Sequence, residues 1–357
     1  MRHALISKSA LLNNIKKIKN TVGDAKLLAY LKANAYGHGV DIVAPIIEPF
    51  VDGVAVSEVD SVYLLRKLNF NKQIILSSVV LSERLCLELA ELKIDLVIFD
   101  MVQLKFIESI PADLAITIWL KINTGMNRLG ISLSSADIAI AKLKSMVGVS
   151  NIILMTHCAN AEVIEHPLTI KQSDLFINLV KKYNLESSFV NTAGVFNLKK
   201  MHLDWVRFGI GLYGLAPDNS LCVEIKGLLP VMQIKAEVIS IQNLESGGFV
   251  GYGSFWQAKQ KTKLAIVALG YADGVPVNLF NKKWFLVINN KKYPIVGKIN
   301  MDMLAVVIDL DTEIKIGDWG FLCDNNQTIA QLANACSQTN YQIVTSIGSR
   351  VIRVLVD

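Results

Sequence analysis

The chain has 357 residues, of which 52% are hydrophobic and 19% charged, and its formal net charge is +5. This composition excludes a disordered chain, and the length favours two domains or one large barrel with a smaller module. The positive charge is carried by lysines scattered between acidic residues, which is typical of a solvated surface and argues against a nucleic-acid partner.

The cysteines and the first residues of the chain indicate a cellular compartment. Five cysteines form no CxxC pair and no metal-ligand spacing: Cys86, Cys158, Cys222, Cys323 and Cys336. Reduced thiols explain this odd number best, and no metal is expected. The segment 1–20 lacks the apolar core and cleavage site of a signal peptide, and no apolar run reaches the length of a membrane span. We therefore expect a cytoplasmic protein with no membrane partner.

Eight short apolar runs alternate with segments of helical periodicity over the first part of the chain. The runs begin at Leu27, Gly53, Gln73, Leu96, Ala115, Asn151, Ser187 and Trp205. Two of the helical segments open on the possible N-caps Ser57 and Thr169. This alternation predicts an α/β fold with a closed (β/α)8 barrel. A doubly wound open sheet is the alternative, but KANAYGHG after the first run is not the GxGxxG turn which that fold would need.

The pattern changes after Gly227 to longer runs joined by glycine and asparagine turns. Antiparallel strands are predicted to begin at Met232, Lys263, Trp284 and Leu304. Asn289 and Asn290 predict a hairpin turn, and a helix is expected at Thr328. The predicted domains are thus a barrel over residues 1–227 and a β-rich domain over residues 228–357.

Polar residues stand where the predicted barrel strands end, which is the face that carries the chemistry in such barrels. They are Lys32, Lys121, Asn123, His157, Asn191, Thr192 and Arg207. Each alone has a structural explanation: Lys32 could extend to solvent, His157 could be a core histidine, and Arg207 could pair with Asp204 or Glu224.

Together these polar residues indicate a site for an anionic carbonyl cofactor. The Lys32 amine can form a Schiff base, while Thr192 and the backbone of the GIG turn, Gly209 to Gly211, can hold a phosphate. Pyridoxal phosphate is the cofactor that this set suits.

The chain resembles the bacterial alanine racemase family over nearly its whole length. The resemblance is carried by the segments LKANAYGHG, WLKINTGMNRLGI, MTHCANAE, VNTAG, VRFGIGLYG, GYGS, GYADG and GKINMD. It implies a pyridoxal-phosphate barrel, a β-rich second domain and a head-to-tail homodimer whose active sites are shared. The implied activity is the interconversion of L- and D-alanine by two bases acting on a cofactor aldimine, which supplies D-alanine for peptidoglycan.

The resemblance also implies roles for individual residues. Cofactor binding falls to Lys32, Tyr36, His157, Asn191, Thr192, Arg207, Gly209 and Ile210. Lys32 and Tyr252 would be the two catalytic bases, and Arg128 and the backbone of Met301 would bind the substrate carboxylate. Lys121 would support Arg128 as a carbamate, and Tyr271 would line the entrance. Positive charge from Arg207, relayed through His157, is our hypothesis for lowering the pKa of Tyr252.

Several positions depart from the family pattern. They are Asn123 and Glu162 in place of Asp, Lys298 and Asn300 within GKINMD, Ser349 where some members have a tyrosine, and Ile352 where proline is common. These changes affect the phosphate and the entry channel, so substrate preference is the open question. A racemase of broader specificity is one alternative, and a non-catalytic cofactor carrier without a second domain is another. A decarboxylase of related fold would need a cysteine-bearing motif in the second domain, and no such motif is found there.

Overall fold

The computed structural model describes residues 1–217 and 227–357, so Cys222 and Glu224 lie outside the described residues. Strands β1 to β19 are, in order, Arg2–Ser7, Lys26–Tyr30, Gly53–Val56, Gln73–Leu76, Ile94–Ile98, Ile116–Asn123, Ile131–Ser132, Val149–Met155, Ser187–Ser188, Trp205–Phe208, Met232–Leu244, Phe249–Val250, Trp256–Gln257, Thr262–Val267, Phe285–Ile288, Lys291–Val296, Leu304–Ile308, Trp319–Cys323 and Ile352–Val356. Helices α1 to α11 are Lys8–Val22, Lys32–Tyr36, Val40–Ile47, Val59–Lys67, Glu83–Glu91, Leu104–Ile107, Leu133–Ser145, Pro167–Tyr183, Thr192–Asn197, Ile329–Cys336 and Asn340–Ser346.

The structure divides into two compact units, and the first is a barrel made of residues 12–35 and 43–212. Its strands follow the order β5-β4-β3-β2-β10-β9-β8-β6, and β5 also pairs with β6, which closes the sheet. Each of these pairings is parallel. All eight predicted strands are present, and the closed parallel barrel is confirmed.

Alternating residues of the barrel strands fill its interior. They form one buried cluster made of Leu28, Ala55, Ile75, Val97, Trp119, Ile153, Met155 and Trp205. Because successive residues of a strand point to opposite faces, the side chains of this cluster share the inner face of the closed sheet. The packed interior leaves the strand ends as the place for a site.

The second unit is β-rich and comprises residues 1–11, 36–42, 213–217 and 227–357 of the described chain. Its main sheet has the order β14-β17-β16-β15-β18-β11-β1-β19, with β14 also paired to β11. The predicted hairpin joins β15 to β16, and Asn289 and Asn290 have φ of 51° and 62°, as a two-residue turn of this kind requires. The predicted helix at Thr328 is α10, which Thr328 caps.

The division between the units differs from the predicted boundary at residue 227. β1 pairs antiparallel with β11 and parallel with β19, so the first residues of the chain belong to the β-rich unit rather than to the barrel. Residues 36–42 and 213–217 belong there too. These pairings join strands that are far apart in sequence, which local periodicity does not report.

Two predicted helix caps are wrong. α4 begins after Glu58 without a side-chain cap, and Ser57 precedes it. α8 begins two residues before Thr169, because His166 accepts a hydrogen bond from the Leu168 amide and proline occupies the first helical position. Thr169 instead donates to the Asn160 carbonyl oxygen from within the helix.

Within the described ranges, no helix is long and apolar enough to cross a membrane.

Asp95 of β5 is a buried carboxyl group in the barrel wall. It accepts hydrogen bonds from the Gln73 side chain and, at 3.2 Å, from the Thr117 amide. Burial raises the pKa of Asp95 to about 6, and these hydrogen bonds and the Arg66 charge only partly oppose that effect. Because the folded-state pKa exceeds the unfolded value, protonation of Asp95 favours the fold.

We expect the barrel to lose stability as pH rises through about 6, by about 3 kcal/mol from Asp95 alone. The contribution is fully present below pH 4 and absent above pH 7. Asp95→Asn stays neutral, so the difference in melting temperature between this variant and the wild type should change sharply between pH 4.5 and pH 7.5. Exposed Asp113→Asn is the control. A constant difference across that range would contradict the assignment.

Candidate active site

Lys32 lies two residues beyond the end of β2 and opens a turn of unusual hand. Ala33, Asn34, Ala35 and Tyr36 have φ of 51°, 54°, 54° and 52°, so α2 is a left-handed turn built without glycine. Each such residue costs roughly 1–2 kcal/mol, and strain of this kind persists only where the surroundings enforce it. The Ala33 amide donates to Glu58 Oε1 at 3.2 Å, and the Ala35 amide donates to the Leu31 carbonyl oxygen at 2.8 Å.

The barrel unit gathers four cationic side chains around His157. Arg207, Lys121, Arg128 and Lys32 each lower the pKa of His157, in that order after the dominant effect of burial. The imidazole is therefore neutral at physiological pH, with its pKa well below 6.5. This mutual influence places the five groups in one cluster, which we call the cationic cluster.

The pKa values of the two lysines report the same charge concentration. Lys32 is an exposed residue in the single chain, yet partial desolvation and then Arg128 lower the pKa of its amine, with Glu58 opposing them. Burial, Arg207, Arg128 and Lys32 lower the pKa of Lys121 to about 8. Both amines thus become available as neutral nucleophiles closer to neutral pH than an ordinary lysine. A cluster with this excess of positive charge suits an anionic ligand.

Arg207 of β10 is held rigidly, with only 3% of its surface exposed. Nη1 donates to the carbonyl oxygen and hydroxyl of Ser188 at 2.9 and 2.7 Å. Nη2 donates to the carbonyl oxygens of Thr156 and Phe189 at 2.6 and 2.9 Å. Within the described chain, these bonds leave Nε–H as the donor available to a ligand. Asp204 accepts from Ser187 instead.

His157 is positioned through its backbone. Its carbonyl oxygen accepts from Gln172 Nε2 at 2.9 Å, and the same amide nitrogen donates to Thr124 Oγ1 at 3.0 Å. Thr124 and Thr156 share a hydroxyl hydrogen bond of 2.8 Å. A neutral His157 cannot carry positive charge towards another residue, so our hypothesis of a relayed charge reduces to polarisation through a hydrogen bond.

The residues predicted to bind a phosphate meet in the barrel unit. Thr192 Oγ1 accepts from the Gly209 amide at 3.1 Å, and Ile210 follows in the chain. Asn191 is the N-cap of α9 and accepts from the Gly194 amide at 3.1 Å. Gly211 must be glycine, since a Cβ there would lie 2.8 Å from Thr192 Cγ2 and 2.6 Å from the Phe208 ring.

A short turn carries the chain from Lys121 to Arg128. Asn123 Oδ1 accepts from the amides of Gly125 and Asn127 at 3.0 and 3.1 Å, and its Nδ2 donates to Asn127 Oδ1 at 3.0 Å. Asn123 therefore shapes the turn through an amide that both accepts and donates. An aspartate at this position could not make the last of these bonds.

The remaining predicted site residues belong to the β-rich unit and lie on its surface. Tyr252 is 75% exposed and Met301 52% exposed, and Tyr271 is exposed as well. The amides of Tyr271 and Ala272 donate to the carbonyl oxygens of Asn300 and Met301, each at 3.0 Å, so the GYADG and INMD segments are adjacent.

Four departures from the family pattern also fall in this unit, and Asn300 is one of them. Lys298 Nζ lies 4.1 Å from the centre of the Phe255 ring. Ser349 and Ile352 are exposed. Tyr36, by contrast, is only 5% exposed and packs against Tyr213 and Tyr341.

Family models match both parts of the chain, "Alanine racemase, N-terminal domain" over residues 6–217 and "Alanine racemase, C-terminal domain" over residues 231–355. The chain belongs to the alanine racemase family. Alanine racemase of Shewanella sediminis is 34% identical over 351 residues, which cover 98% of this chain and 97% of that protein. The resemblance inferred from the motifs is thereby confirmed.

Solved alanine racemases share the fold of the chain. The enzyme of Acinetobacter baumannii superposes with a TM-score of 0.88 at 31% identity, covering 100% of this chain and 99% of the other. That of Bartonella henselae, solved with covalently bound pyridoxal phosphate, has a TM-score of 0.88 at 25% identity and covers 99% of both chains.

Three residues near the cationic cluster of this alanine racemase family member were missed by sequence reasoning. They are Tyr30, Glu58 and Ser188. Burial has the largest effect on Tyr30 and raises its pKa, whereas the charges of Arg207 and Arg128 act in the opposite direction. Lys32 Nζ lies 6.0 Å from the centre of the Tyr30 ring. Glu58 is the acidic neighbour of Lys32, and Ser188 binds Arg207. Tyr30 and Ser188 lie within strands, and nothing in the sequence pattern there marks their hydroxyl groups as functional. Glu58 follows a strand and could not be distinguished from an ordinary charged surface residue.

Proposed function

We propose that the chain is a pyridoxal-phosphate-dependent racemase that interconverts L- and D-alanine and so supplies D-alanine for peptidoglycan. The observation that carries the proposal is the cationic cluster at the carboxyl ends of the barrel strands, with Lys32 at its edge and Glu58 as the acidic neighbour of that lysine. Membership of the alanine racemase family and the covalently bound cofactor of the Bartonella henselae enzyme support it.

The residues present suit this cofactor. A lysine whose pKa is lowered can bond covalently to a carbonyl carbon, which is the role proposed for Lys32. Thr192, Gly209 and Ile210 would bind the phosphate together with Tyr36, and Arg207 would direct Nε–H to the ring nitrogen while His157 lies against the ring. When bound, pyridoxal phosphate would supply an electron sink that makes the Cα–H of an attached amino acid acidic.

Arg207 would control which reaction follows proton removal. Its guanidinium donates to four oxygens and keeps its proton, although burial lowers its pKa from a very high ordinary value. A permanent cation at the ring nitrogen would keep that nitrogen unprotonated and weaken the electron sink. The proton would then return to Cα rather than to another carbon, so transamination would be suppressed.

Racemisation requires a proton donor or acceptor on each face of Cα. Lys32 would serve one face and Tyr252 the other, while Arg128 and the Met301 amide would bind the substrate carboxylate. Tyr252 and Met301 are exposed on the β-rich unit, as residues that complete the site of a second copy would be. We therefore infer a head-to-tail homodimer with two shared sites.

The two alternatives make different demands on the chain. A non-catalytic carrier would need only the barrel, whereas this chain has the C-terminal family domain with Tyr252 and Met301. A racemase of broader specificity would differ in its substrates rather than in its bases. The described cysteines Cys86, Cys158, Cys323 and Cys336 are free and buried, which supports the proposed cytoplasmic location.

Purified protein should be yellow, and borohydride should fix the cofactor irreversibly on Lys32. Peptide mapping by mass spectrometry identifies the modified lysine, and Lys32→Ala should carry no fixed adduct. Chiral chromatography after incubation with L-alanine, L-serine and L-lysine separates alanine racemase from the broader alternative. An adduct on another lysine would refute the assignment of Lys32, and turnover of L-lysine or L-serine in preference to L-alanine would favour the broader racemase.

A further inference from the structure

The segment Tyr36 to Gly39 begins with the last residue of the left-handed turn and belongs to the β-rich unit. We call it the post-lysine segment. The turn contains no glycine, and apart from Asn34 its residues do not favour the hand that it adopts. Contacts made by the residues that follow must therefore hold its far end, and the post-lysine segment is where the structure concentrates them.

Aromatic rings enclose the side chains of the post-lysine segment. The Tyr36 ring packs against Tyr213 at 5.3 Å and against Tyr341 of α11 at 5.9 Å between centroids. Tyr213 also stacks on the fully buried His38 at 4.2 Å. His38 Nδ1 lies 2.8 Å from the Tyr36 carbonyl oxygen, which closes the segment on itself.

The backbone of the post-lysine segment is fastened to the end of the chain. Gly37 has φ of 78°, and a Cβ there would lie 1.9 Å from the Val344 carbonyl oxygen of α11, so the two backbones touch. Arg353 Nε donates to the Gly37 carbonyl oxygen at 2.9 Å.

The remaining N–H groups of Arg353 bind the loop that precedes β19. Nη1 donates to the carbonyl oxygens of Gly348 and Val351 at 2.5 and 2.7 Å, and Nη2 donates to that of Ile347. One guanidinium thus joins the Gly37 carbonyl group of the post-lysine segment to three carbonyl groups of that loop, which the point charge of a lysine could not do in the same geometry.

We propose that Tyr341 and Arg353 are positioning residues that hold the post-lysine segment and thereby keep the left-handed turn, Lys32 and Tyr36 in the orientation that retains the cofactor. This inference rests on the proposed function, because it assigns the consequence of these contacts to cofactor retention. Neither residue touches the reacting atoms; each acts through Tyr36 or Gly37.

The test compares full-length variants for cofactor release, followed by the loss of the yellow absorbance in the presence of a carbonyl-trapping amine. Tyr341→Ala should release cofactor about three- to tenfold faster, the range expected for loss of an aromatic pair. Tyr341→Phe keeps the ring and should remain within about twofold of the wild type. Arg353→Lys keeps the positive charge but loses the planar set of N–H donors that binds several carbonyl groups at once. It should therefore release cofactor as fast as Tyr341→Ala.

Tyr293→Ala is the matched control, since Tyr293 is a buried tyrosine of the same unit whose hydroxyl donates to Asp309. It should lower the melting temperature without changing cofactor release. Equal acceleration by Tyr293→Ala and Tyr341→Ala, or unchanged release in both Tyr341→Ala and Arg353→Lys, would overturn the proposal.

Hydrogen exchange separates failure of this inference from failure of the proposed function. The amides of residues 35–39 should exchange faster in Tyr341→Ala and Arg353→Lys than in Tyr293→Ala, whether or not the protein carries a cofactor. If the wild type held no cofactor, the proposed function would fail, and slower exchange in the Tyr293→Ala control would still show that Tyr341 and Arg353 hold the post-lysine segment. Identical exchange in all three variants would refute it.

Discussion

Lys32→Ala and Tyr252→Ala should each lower kcat by about 100- to 10,000-fold, and mixed dimers of the two variants should recover activity. Each variant lacks the proton carrier for one face of Cα. If every site combines Lys32 of one protomer with Tyr252 of its partner, a mixed dimer holds one intact site and one that lacks both bases. Random pairing then gives about a quarter of wild-type activity, since half the dimers are mixed and half their sites work.

The mixed dimers are isolated by placing a different affinity tag on each variant and purifying on both tags in turn. Such dimers should have about half the activity of wild-type dimers. Lys32→Ala carrying both tags is the matched control and should stay inactive. Tyr252→Phe in place of Tyr252→Ala keeps the ring and removes only the hydroxyl, so it tests proton transfer without disturbing packing.

The reciprocal experiment decides between shared and separate sites. Wild-type chain paired with the double variant Lys32→Ala/Tyr252→Ala gives two defective sites if the bases come from different protomers, and one intact site if they come from the same protomer. Inactive dimers are therefore expected here. Active ones, together with no recovery in the first mixture, would show that Lys32 and Tyr252 act within one chain.

Lys121→Ala should lower kcat/KM by about 10- to 100-fold, the range expected for the loss of a charge-assisted hydrogen bond, and short carboxylates should restore part of it. The pKa of Lys121 is about 8, so roughly a tenth of the amine is neutral at pH 7. The neutral nitrogen can bond to the carbon of CO₂ and release a proton, which yields an anionic carbamate. Arg207, Arg128 and Lys32 would stabilise that anion, and it would orient Arg128 towards the substrate.

Three measurements test this assignment of Lys121. NMR of protein kept in isotope-labelled bicarbonate should detect one carbamate, whose signal grows from pH 7 to pH 9 as the amine loses its proton. Acetate or formate should raise the activity of Lys121→Ala, and Lys105→Ala, a lysine change elsewhere on the barrel, should match the wild type. Failure of rescue at every carboxylate concentration, with no carbamate signal, would indicate an unmodified structural lysine.

The amino-acid sequence by itself determined the barrel and much of the candidate site. The eight strands are local events, because each is an apolar run bounded by a change of periodicity, and the parallel order follows from the helices between them. Lys32, Lys121, His157, Thr192 and Arg207 could be selected because a charged or polar side chain at the end of a buried strand needs a reason. The Asn289-Asn290 hairpin is equally local, since two adjacent residues specify its backbone.

Only the tertiary structure decided how distant parts of the chain meet. β1 joins the β-rich sheet through hydrogen bonds to β11 and β19, and no pattern within Arg2–Ser7 distinguishes that sheet from the barrel. The left-handed turn after Lys32 runs against the preference of its own residues, so it depends on contacts made elsewhere. The low pKa of Lys121 arises from burial and from three cations, of which Arg207 and Lys32 are on distant segments, because electrostatic effects depend on distance in space rather than in sequence.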